Sequence, residues 1–448
     1  LYNINTPCFK DNLIMRILLI NPPDSGRSIP EEEYGVTSIK QIFKGEPFGI
    51  EAIAGGLSGH DLTILDMKCE KEDALWRTIS DFRPEVIGFT AVTCEANSVL
   101  KYARKIREEN NCVMVVGGNH ATCDPSYFNR EEIDYVVIGV GKKSFSELIS
   151  HIQKGDRGTA IPGIAKTSVG SSLSFLSRNY GVDDLMDHCP PRYDLVDRYR
   201  EHYVLEKLGM KMGFVITASG CTHACSFCAI PGTTGGKYLL HSPDSVIRDI
   251  RLLGDIPVIR MVDANTFGNP AASKELCRKI KNMDIRKRFI ADVRADTIVQ
   301  HYDLLEEWKE AGLHAVVVGF EDIQDQRIEE YNKKYKAHII SRSIELLHKL
   351  DMLIVGDFIV PPDYTEQEFA DLEQFIVKNA IQLPVLSVLT PIPGTPLYET
   401  MKEKIVIRDL DFYTFTNAVV PTALPEKVFY ETFSELVKRL HGRTPRQT

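Results

Sequence analysis

No apolar run in this 448-residue chain approaches the roughly 18–20 residues that span a bilayer, which excludes a transmembrane helix. Internal repeats and low-complexity tracts are also missing, so solenoid and fibrous classes fall away. Positive charge is not in excess: 53 Lys and Arg stand against 62 Asp and Glu, a net charge of −9. That balance argues against a broad surface for nucleic acid or anionic lipid. Ten cysteines are present, mostly single and on apolar segments, which is not a disulfide framework. A reducing cytoplasm is the expected compartment. The rest is ordinary globular composition, 43% hydrophobic and 26% charged, in a chain long enough for two to three domains.

The opening "LYNINTPCFKDNL" has no periodic pattern, and Met15 stands directly before the first strand-like run. Residues 1–15 are therefore expected to be a remnant or a disordered N-terminus outside the fold. Residues 16–150 alternate short apolar runs, at 16–21, 62–67, 86–92, 113–118 and 135–139, with helical patterns. Nearly continuous apolar strands separated by helices describe a parallel sheet covered on both faces, whose ligands sit beyond the carboxyl ends of the strands. Residues 151–211 are irregular and read as a linker, with a small hairpin near 158–175 and an extended connector at "HCPPRYDLVD", where paired prolines oppose helix. From 212 to 396 six strand–helix units recur, with strands at 214–219, 258–265, 288–295, 315–322, 353–360 and 384–392. Six units are too few for a closed eight-fold barrel, so a partial (β/α)6 barrel is expected, with polar strand ends lining one mouth. Residues 397–448 form a short helical C-terminal segment. The fold class is thus α/β throughout.

The chemistry concentrates in "SGCTHACSFC", where Cys221, Cys225 and Cys228 follow the first barrel strand with spacing C-x3-C-x2-C. Structural zinc takes four protein ligands, usually as two separated pairs. Three thiolates in one loop better suit an iron–sulfur cluster with one iron left for an exogenous ligand. Three buried cysteines that merely cluster, or a zinc site completed by His223, are the competing readings.

The spacing, the aromatic Phe227 before the last cysteine and the position in a βα loop resemble the radical S-adenosylmethionine (SAM) enzymes. The resemblance implies a 4Fe–4S cluster on Cys221, Cys225 and Cys228, with SAM chelating the fourth iron. One electron then cleaves the sulfonium and leaves a 5′-deoxyadenosyl radical. It also implies SAM contacts at Phe227 and at the strand ends, where Asp263, Asn265, Arg294 and Glu321 stand. An arginine suits the SAM carboxylate, and carboxylates suit its ammonium and ribose hydroxyls. "TPIPGTPLY" (390–398) resembles the family segment that packs near the adenine.

A five-stranded parallel domain ahead of such a barrel resembles the cobalamin-dependent members of that family, and makes the first domain a Rossmann-like domain of the cobalamin-binding type. The motifs are Thr90 to Thr93, "GGNHATCDP" (117–125) and "DYVVIGVGKKSFSELI" (134–149). They place Thr90, Val92, Thr93, Gly117, Gly118, Asn119, His120, Gly139 and Gly141 at the corrinoid. Glycines suit a close approach of backbone to a bulky ligand. Two features depart from the pattern. The D-x-H-x-x-G loop that supplies a cobalt-ligating histidine elsewhere is replaced by "NPPDSGRSIPEEEYG". Lys142 and Lys143 stand where an acidic G-E-G-E-like turn is usual. A lone histidine in a loop, such as His120 or His60, is more often a hydrogen-bonding or surface residue than a ligand.

Together the two modules imply methylation of an unactivated carbon of a small-molecule or lipid-like substrate through methylcobalamin, fed by an external electron donor such as flavodoxin or ferredoxin. The same cofactors without methyl transfer, giving cyclisation, ring contraction or anaerobic oxygen insertion, form a second expectation. A non-catalytic corrinoid- or metal-sensing module is the third.

Overall fold

The run Arg16–Asn21 explains the first half of the molecule. Its side chains alternate between two cores, Leu18 and Ile20 on one face and Ile17 and Leu19 on the other, and all four are buried. A strand apolar on both faces belongs inside a sheet with helices on each side. The computed structural model describes residues 14–36, 43–155, 160–205 and 209–442. The expected N-terminal remnant therefore lies, but for residues 14 and 15, outside the described residues, as do 156–159 and 206–208 of the linker.

In the first half the strands are β1 (Arg16–Asn21), β2 (Phe43–Lys44), β3 (Asp61–Asp66), β4 (Val86–Thr90), β5 (Val113–Gly117), β6 (Tyr135–Val137) and β7 (Ile164–Lys166). The second half carries β8 (Val204–Leu205), β9 (Met210–Val215), β10 (Ala218–Gly220), β11 (Tyr238–Leu240), β12 (Val258–Met261), β13 (Arg288–Val293), β14 (Leu313–Glu321), β15 (Leu353–Val360) and β16 (Leu383–Val388). The first sheet runs β3-β1-β4-β5-β6-β7, parallel except for β7. All five strands expected before residue 150 are present. The second sheet runs β16-β15-β14-β13-β12-β9-β8-β2, and β9 with β12 to β16 are its six parallel barrel strands. Its edge is closed by β8 and β2, both antiparallel, so the segment between β1 and β3 lends a strand to the barrel.

Two expectations change. The strand expected over 214–219 breaks after Val215, and residues 218–220 form the separate antiparallel hairpin β10–β11. The cause is Asp263, whose carboxylate takes the backbone N–H groups of Thr217 and Ala218 away from the barrel ladder. The linker is not extended beyond its prolines either: Tyr193–His202 is a 3-10 helix. Tyr193, Val196 and Tyr199 recur every third residue, the 3-10 period, and all three are buried.

Helix starts follow their caps. Ser242 accepts from Ser245 N ahead of Pro243, Asn269 accepts from Ala272 N ahead of Pro270, and Thr365 forms a capping box with Glu368. The barrel's outer face packs against these helices. Its lumen is filled at the bottom by Met212, Val258, Ile290, Ala315, Val317 and Val355.

Where the linker meets the first domain, Glu51 is fully buried and neither carboxylate oxygen has a partner. Burial, and then the neighbouring Glu46, push its pKa well above the ordinary 4.5. The unfolded chain releases this proton first, so the stability Glu51 allows is complete below pH 4.5 and falls as pH rises towards its folded value. Replacing Glu51 by Met is expected to raise the unfolding free energy by about 2 kcal/mol at pH 8 and to flatten its pH slope, measured by urea titration at pH 5 and pH 8.

Candidate active site

The cysteine loop follows β10 and is fixed by neighbours on three sides. Asp263 anchors its base: Oδ1 accepts from Thr217 N at 2.6 Å and Ala218 N at 2.9 Å, and Oδ2 accepts from Thr217 Oγ1 at 2.7 Å. Beyond the loop, Leu397 N donates to Ser226 O at 2.8 Å, so the 390–398 segment lies against it. On the third side Asn332 Nδ2 donates to Ala224 O at 2.6 Å and Ser226 N donates to Tyr331 O at 3.1 Å. Phe227 packs edge-on to Tyr331, ring centroids 5.5 Å apart, in an apolar collar with Ile359 and Leu389.

The three thiols are free and half-buried. Burial raises the Cys225 pKa and pushes Cys228 up to about 11. Buried neutral thiols beside one another gain from a cationic group that takes them as thiolates. Among the described residues no three His, Cys, Asp or Glu side chains stand close enough to hold a single ion, and His223 turns to Thr222 Oγ1 at 2.9 Å. Three thiols spread along one loop suit a group with several irons. The other described cysteines form no second set. Cys94, Cys112 and Cys277 are buried, and Cys69, Cys123 and Cys189 are partly buried at separate places in the chain.

The sequence placed SAM contacts at five residues, and the structure gives them different surroundings. Phe227 and Asn265 adjoin the loop itself. Asn265 is 1% exposed, its Nδ2 donates to Thr222 Oγ1 at 3.1 Å, and its Oδ1 is buried without a partner. An orphaned acceptor beside the cysteine loop fits a ligand carrying N–H or O–H groups. Asp263 spends Oδ1 on the backbone N–H groups of Thr217 and Ala218 and Oδ2 on the Thr217 hydroxyl. Arg294 makes a two-bond pair with Asp296, Nε–Oδ1 and Nη2–Oδ2 both 2.9 Å. Glu321, in the left-handed region at φ 66°, pairs with Lys333 Nζ at 2.8 Å. Lys333 had no sequence signal. It is brought in by the turn after the helix Asp325–Glu330.

Asp263→Ala leaves three buried donors unpaired at the base of the loop. We expect a loss of about 3 kcal/mol of stability in the cofactor-free chain, read by thermal unfolding, and lower iron uptake.

The first domain offers a cleft of about 170 Å³ at the carboxyl ends of β1, β4, β5 and β6. Gly49, Gly88, Gly117, Gly118, Gly139 and Gly141 line it, with Thr90 at the rim. Gly118 needs its glycine, since φ is +97° and a Cβ would stand 2.7 Å from Ala91 N. Gly49 differs: a Cβ there would meet nothing within 4 Å. A floor of bare backbone is what a flat, bulky ligand tail needs. Val92 is exposed, Thr93 is buried, and Asn119 is exposed.

His120 is neither a surface group nor hydrogen-bonded. It is fully buried, edge-on to Tyr127 and Phe128, with both ring nitrogens unpartnered, and burial pushes its pKa down to about 4. His60 accepts from Met15 N, at the far end of the sheet from the cleft. The "NPPDSGRSIPEEEYG" loop is held by the C-terminal segment instead: Arg27 N donates to Asp411 O at 2.7 Å, and Asn417 accepts from Ile29 N and donates to Arg27 O, both at 2.8 Å. Lys142 turns inward and donates to the linker carbonyls of Met186 and Cys189. Of the C-terminal aromatics, Tyr413, Phe429, Tyr430 and Phe433 are core, and Phe415 is 49% exposed.

Cleft and cysteine loop meet. Val140 N, between Gly139 and Gly141, donates at 3.0 Å to Thr233 O, which lies in the short helix Ile230–Thr233 just after Cys228. Gly394, at φ +79°, lies so close to the first domain that a Cβ would be 2.5 Å from Cys123 O.

These two joined modules match known families. Residues 38–149 match the B12 binding domain and residues 215–376 the Radical SAM superfamily. The chain is a radical SAM enzyme with a corrinoid-binding domain at its N-terminal side. It belongs to the cobalamin-dependent radical SAM enzymes. It is 27% identical over 409 residues to the hopanoid C-3 methylase of Methylococcus capsulatus, covering 89% of this chain and 76% of that one. It is 26% identical over 413 residues to the anaerobic magnesium-protoporphyrin IX monomethyl ester cyclase of Synechocystis, covering 88% and 79%. The solved structure of the radical SAM methyltransferase TsrM from Kitasatospora setae, with cobalamin and a 4Fe–4S cluster bound, superposes with a TM-score of 0.68 at 19% identity, over 87% of this chain and 78% of that one. That likeness establishes the shared fold.

Proposed function

We propose that the protein methylates an unactivated carbon of a small-molecule or lipid-like substrate. The observation that carries the reading is the shared wall between the glycine cleft and the cysteine loop, joined at Val140 and Thr233. Bound there, the cofactors supply a 5′-deoxyadenosyl radical for hydrogen removal and a methyl group carried on cobalt.

The chain's own residues bind, orient and exclude water. Cys221, Cys225 and Cys228 would hold the 4Fe–4S cluster, and Phe227, Asn265 and Glu321 would line the place for SAM, with Arg294 and Asp263 bracing it from behind. The cleft would take the corrinoid's nucleotide tail over Gly117, Gly118, Gly139 and Gly141, with Thr90 at its rim and Val92, Thr93 and Asn119 on the segments that follow β4 and β5. His120 stays in the core behind them, its ring nitrogens enclosed away from the cleft's lining. Val92, just after β4, and Phe415, a C-terminal residue whose carbonyl accepts from Val388 N at the end of β16, are exposed apolar side chains, which suits an apolar substrate. An external low-potential donor such as flavodoxin or ferredoxin supplies the electron, and thiolate ligands favour the reducing cytoplasm.

Product analysis tests the reading. Each turnover is expected to yield one S-adenosylhomocysteine and one 5′-deoxyadenosine. Turnover without S-adenosylhomocysteine would contradict methylation and favour a ring-forming reaction, as the name of the Synechocystis relative suggests.

A further inference from the structure

Phe415 combines two costs that a surface residue rarely carries together. Its backbone is left-handed, at φ 64°, where a bulky side chain is an outlier and glycine or asparagine would rest with little strain. Its ring is 49% exposed, while Tyr413, Thr414, Thr416 and Asn417 around it are buried. Strain of this kind persists where the surroundings over-determine it, commonly at functional sites. Here they do. Asn417 Oδ1 accepts from Ile29 N, and Asn417 Nδ2 donates to Arg27 O and Phe412 O, all at 2.8 Å. Thr414 Oγ1 donates to Arg27 O at 3.0 Å, and the Thr416 hydroxyl lies 2.9 Å from Ser28 Oγ. None of these bonds uses the Phe415 side chain.

The turn is wedged between the strand ends of both domains. Phe415 O accepts at 2.7 Å from Val388 N, at the carboxyl end of the last barrel strand β16. On the other side Arg27 and Ser28 belong to the loop after β1. A Cβ on Gly26 in that loop would stand 2.5 Å from the Thr414 methyl and 3.0 Å from Cys94 Cβ, on the turn after β4. Val92, also exposed and apolar, is two residues before Cys94. The two exposed apolar side chains thus come from segments packed on one another where the carboxyl ends of the two sheets converge. A ring whose backbone is fixed is a rigid surface. A rigid partner packs on it without losing rotamer freedom, whereas a flexible chain pays for every bond it orders. We propose that Phe415 is the specificity-determining residue of the methylation site: its ring is a fixed platform for a rigid, ring-bearing hydrocarbon face of the substrate. The inference rests on the proposed methylation and names the substrate class of that same site.

The test is equilibrium dialysis of the full chain, reconstituted without oxygen, against two alcohols of equal carbon count, the fused-ring 2-decalol and the open-chain 1-decanol. Iron, cobalamin and melting temperature are measured on the same samples. Wild type is expected to bind 2-decalol at least about tenfold more tightly than 1-decanol. Phe415→Gly is expected to weaken 2-decalol about tenfold and to remove the preference, with iron and cobalamin retained and no loss of melting temperature, since the strain is relieved. Phe415→Tyr, which keeps the ring, keeps the preference. Should Phe415→Gly melt below wild type, Phe415→Asn decides, because asparagine also tolerates the left-handed region. Wild type that binds neither alcohol, or both equally, overturns the inference, as does a folded ring-less variant that binds 2-decalol like wild type. Loss of cobalamin from Phe415→Gly makes the ring a corrinoid contact and overturns it too. Turnover without S-adenosylhomocysteine contradicts methylation instead and leaves the affinity result standing.

Discussion

Cys225→Ala abolishes reductive cleavage of SAM: 5′-deoxyadenosine formation with dithionite is expected to fall by more than ~100-fold, since even residues behind the ligands of a metal site commonly cost 10–100-fold. The loop itself survives the change. Its grip on the rest of the molecule runs through the carbonyl of Ala224, the N–H and Oγ of Ser226 and the carbonyl of Ser226, none of which involves the Cys225 side chain. Thermal unfolding of the cofactor-free variant is therefore expected to match wild type. Cys277→Ala is the informative control. That thiol is fully buried among Leu276, Ile280 and Trp308, so its loss costs stability and leaves cleavage intact. Cleavage surviving in Cys225→Ala at wild-type level would remove that thiol from the site.

Gly49→Leu is expected to separate the two cofactors. Gly49 lies in the helix Phe48–Gly55, a Cβ there meets nothing within 4 Å, and its φ is not in the left-handed region. The fold accepts a side chain at this position, and leaving glycine in a helix gains about 0.5–1 kcal/mol. A leucine there occupies the cleft between Gly88, Gly117 and Gly141 that the corrinoid tail is proposed to fill. Hydroxocobalamin retained after gel filtration is expected to fall at least about tenfold, which is only 1.4 kcal/mol of lost affinity. SAM cleavage continues, while S-adenosylhomocysteine disappears. A variant that keeps full corrinoid would move the tail out of this cleft.

The sequence carried the architecture because its signals were strong where both faces of a strand are buried. Arg16–Asn21 and Leu353–Val360 are nearly continuous apolar runs, and those strands appear where expected. Three cysteines within eight residues needed no structure to find. Less legible was anything set by a side chain reaching across the fold. Asp263, Arg294 and Glu321 were expected to face SAM because they end strands. Each has a protein partner in place that strand position did not announce, the Thr217 and Ala218 backbone, Asp296 and Lys333 respectively. Asp296 is two residues from Arg294, but pairing depends on rotamers. Lys333 is twelve residues from Glu321 through a turn with two left-handed residues. No periodicity encodes such a contact. His120 looked like a loop residue beside a glycine pair, and the aromatics Tyr127 and Phe128 that enclose it follow a few residues later. The 3-10 helix at Tyr193–His202 was missed because the two prolines before it dominated the reading, although its apolar residues recur every third position.

The central claim is that one chain brings a cluster held by three cysteines and a corrinoid held by a glycine cleft to one shared wall. Its most direct test is quantitation of iron, acid-labile sulfide and corrinoid in protein purified and reconstituted without oxygen. Wild type is expected to hold about four irons, four sulfides and one cobalamin per chain, Cys225→Ala to lose the iron alone and Gly49→Leu the cobalamin alone. A wild-type chain that binds one group and excludes the other would contradict it.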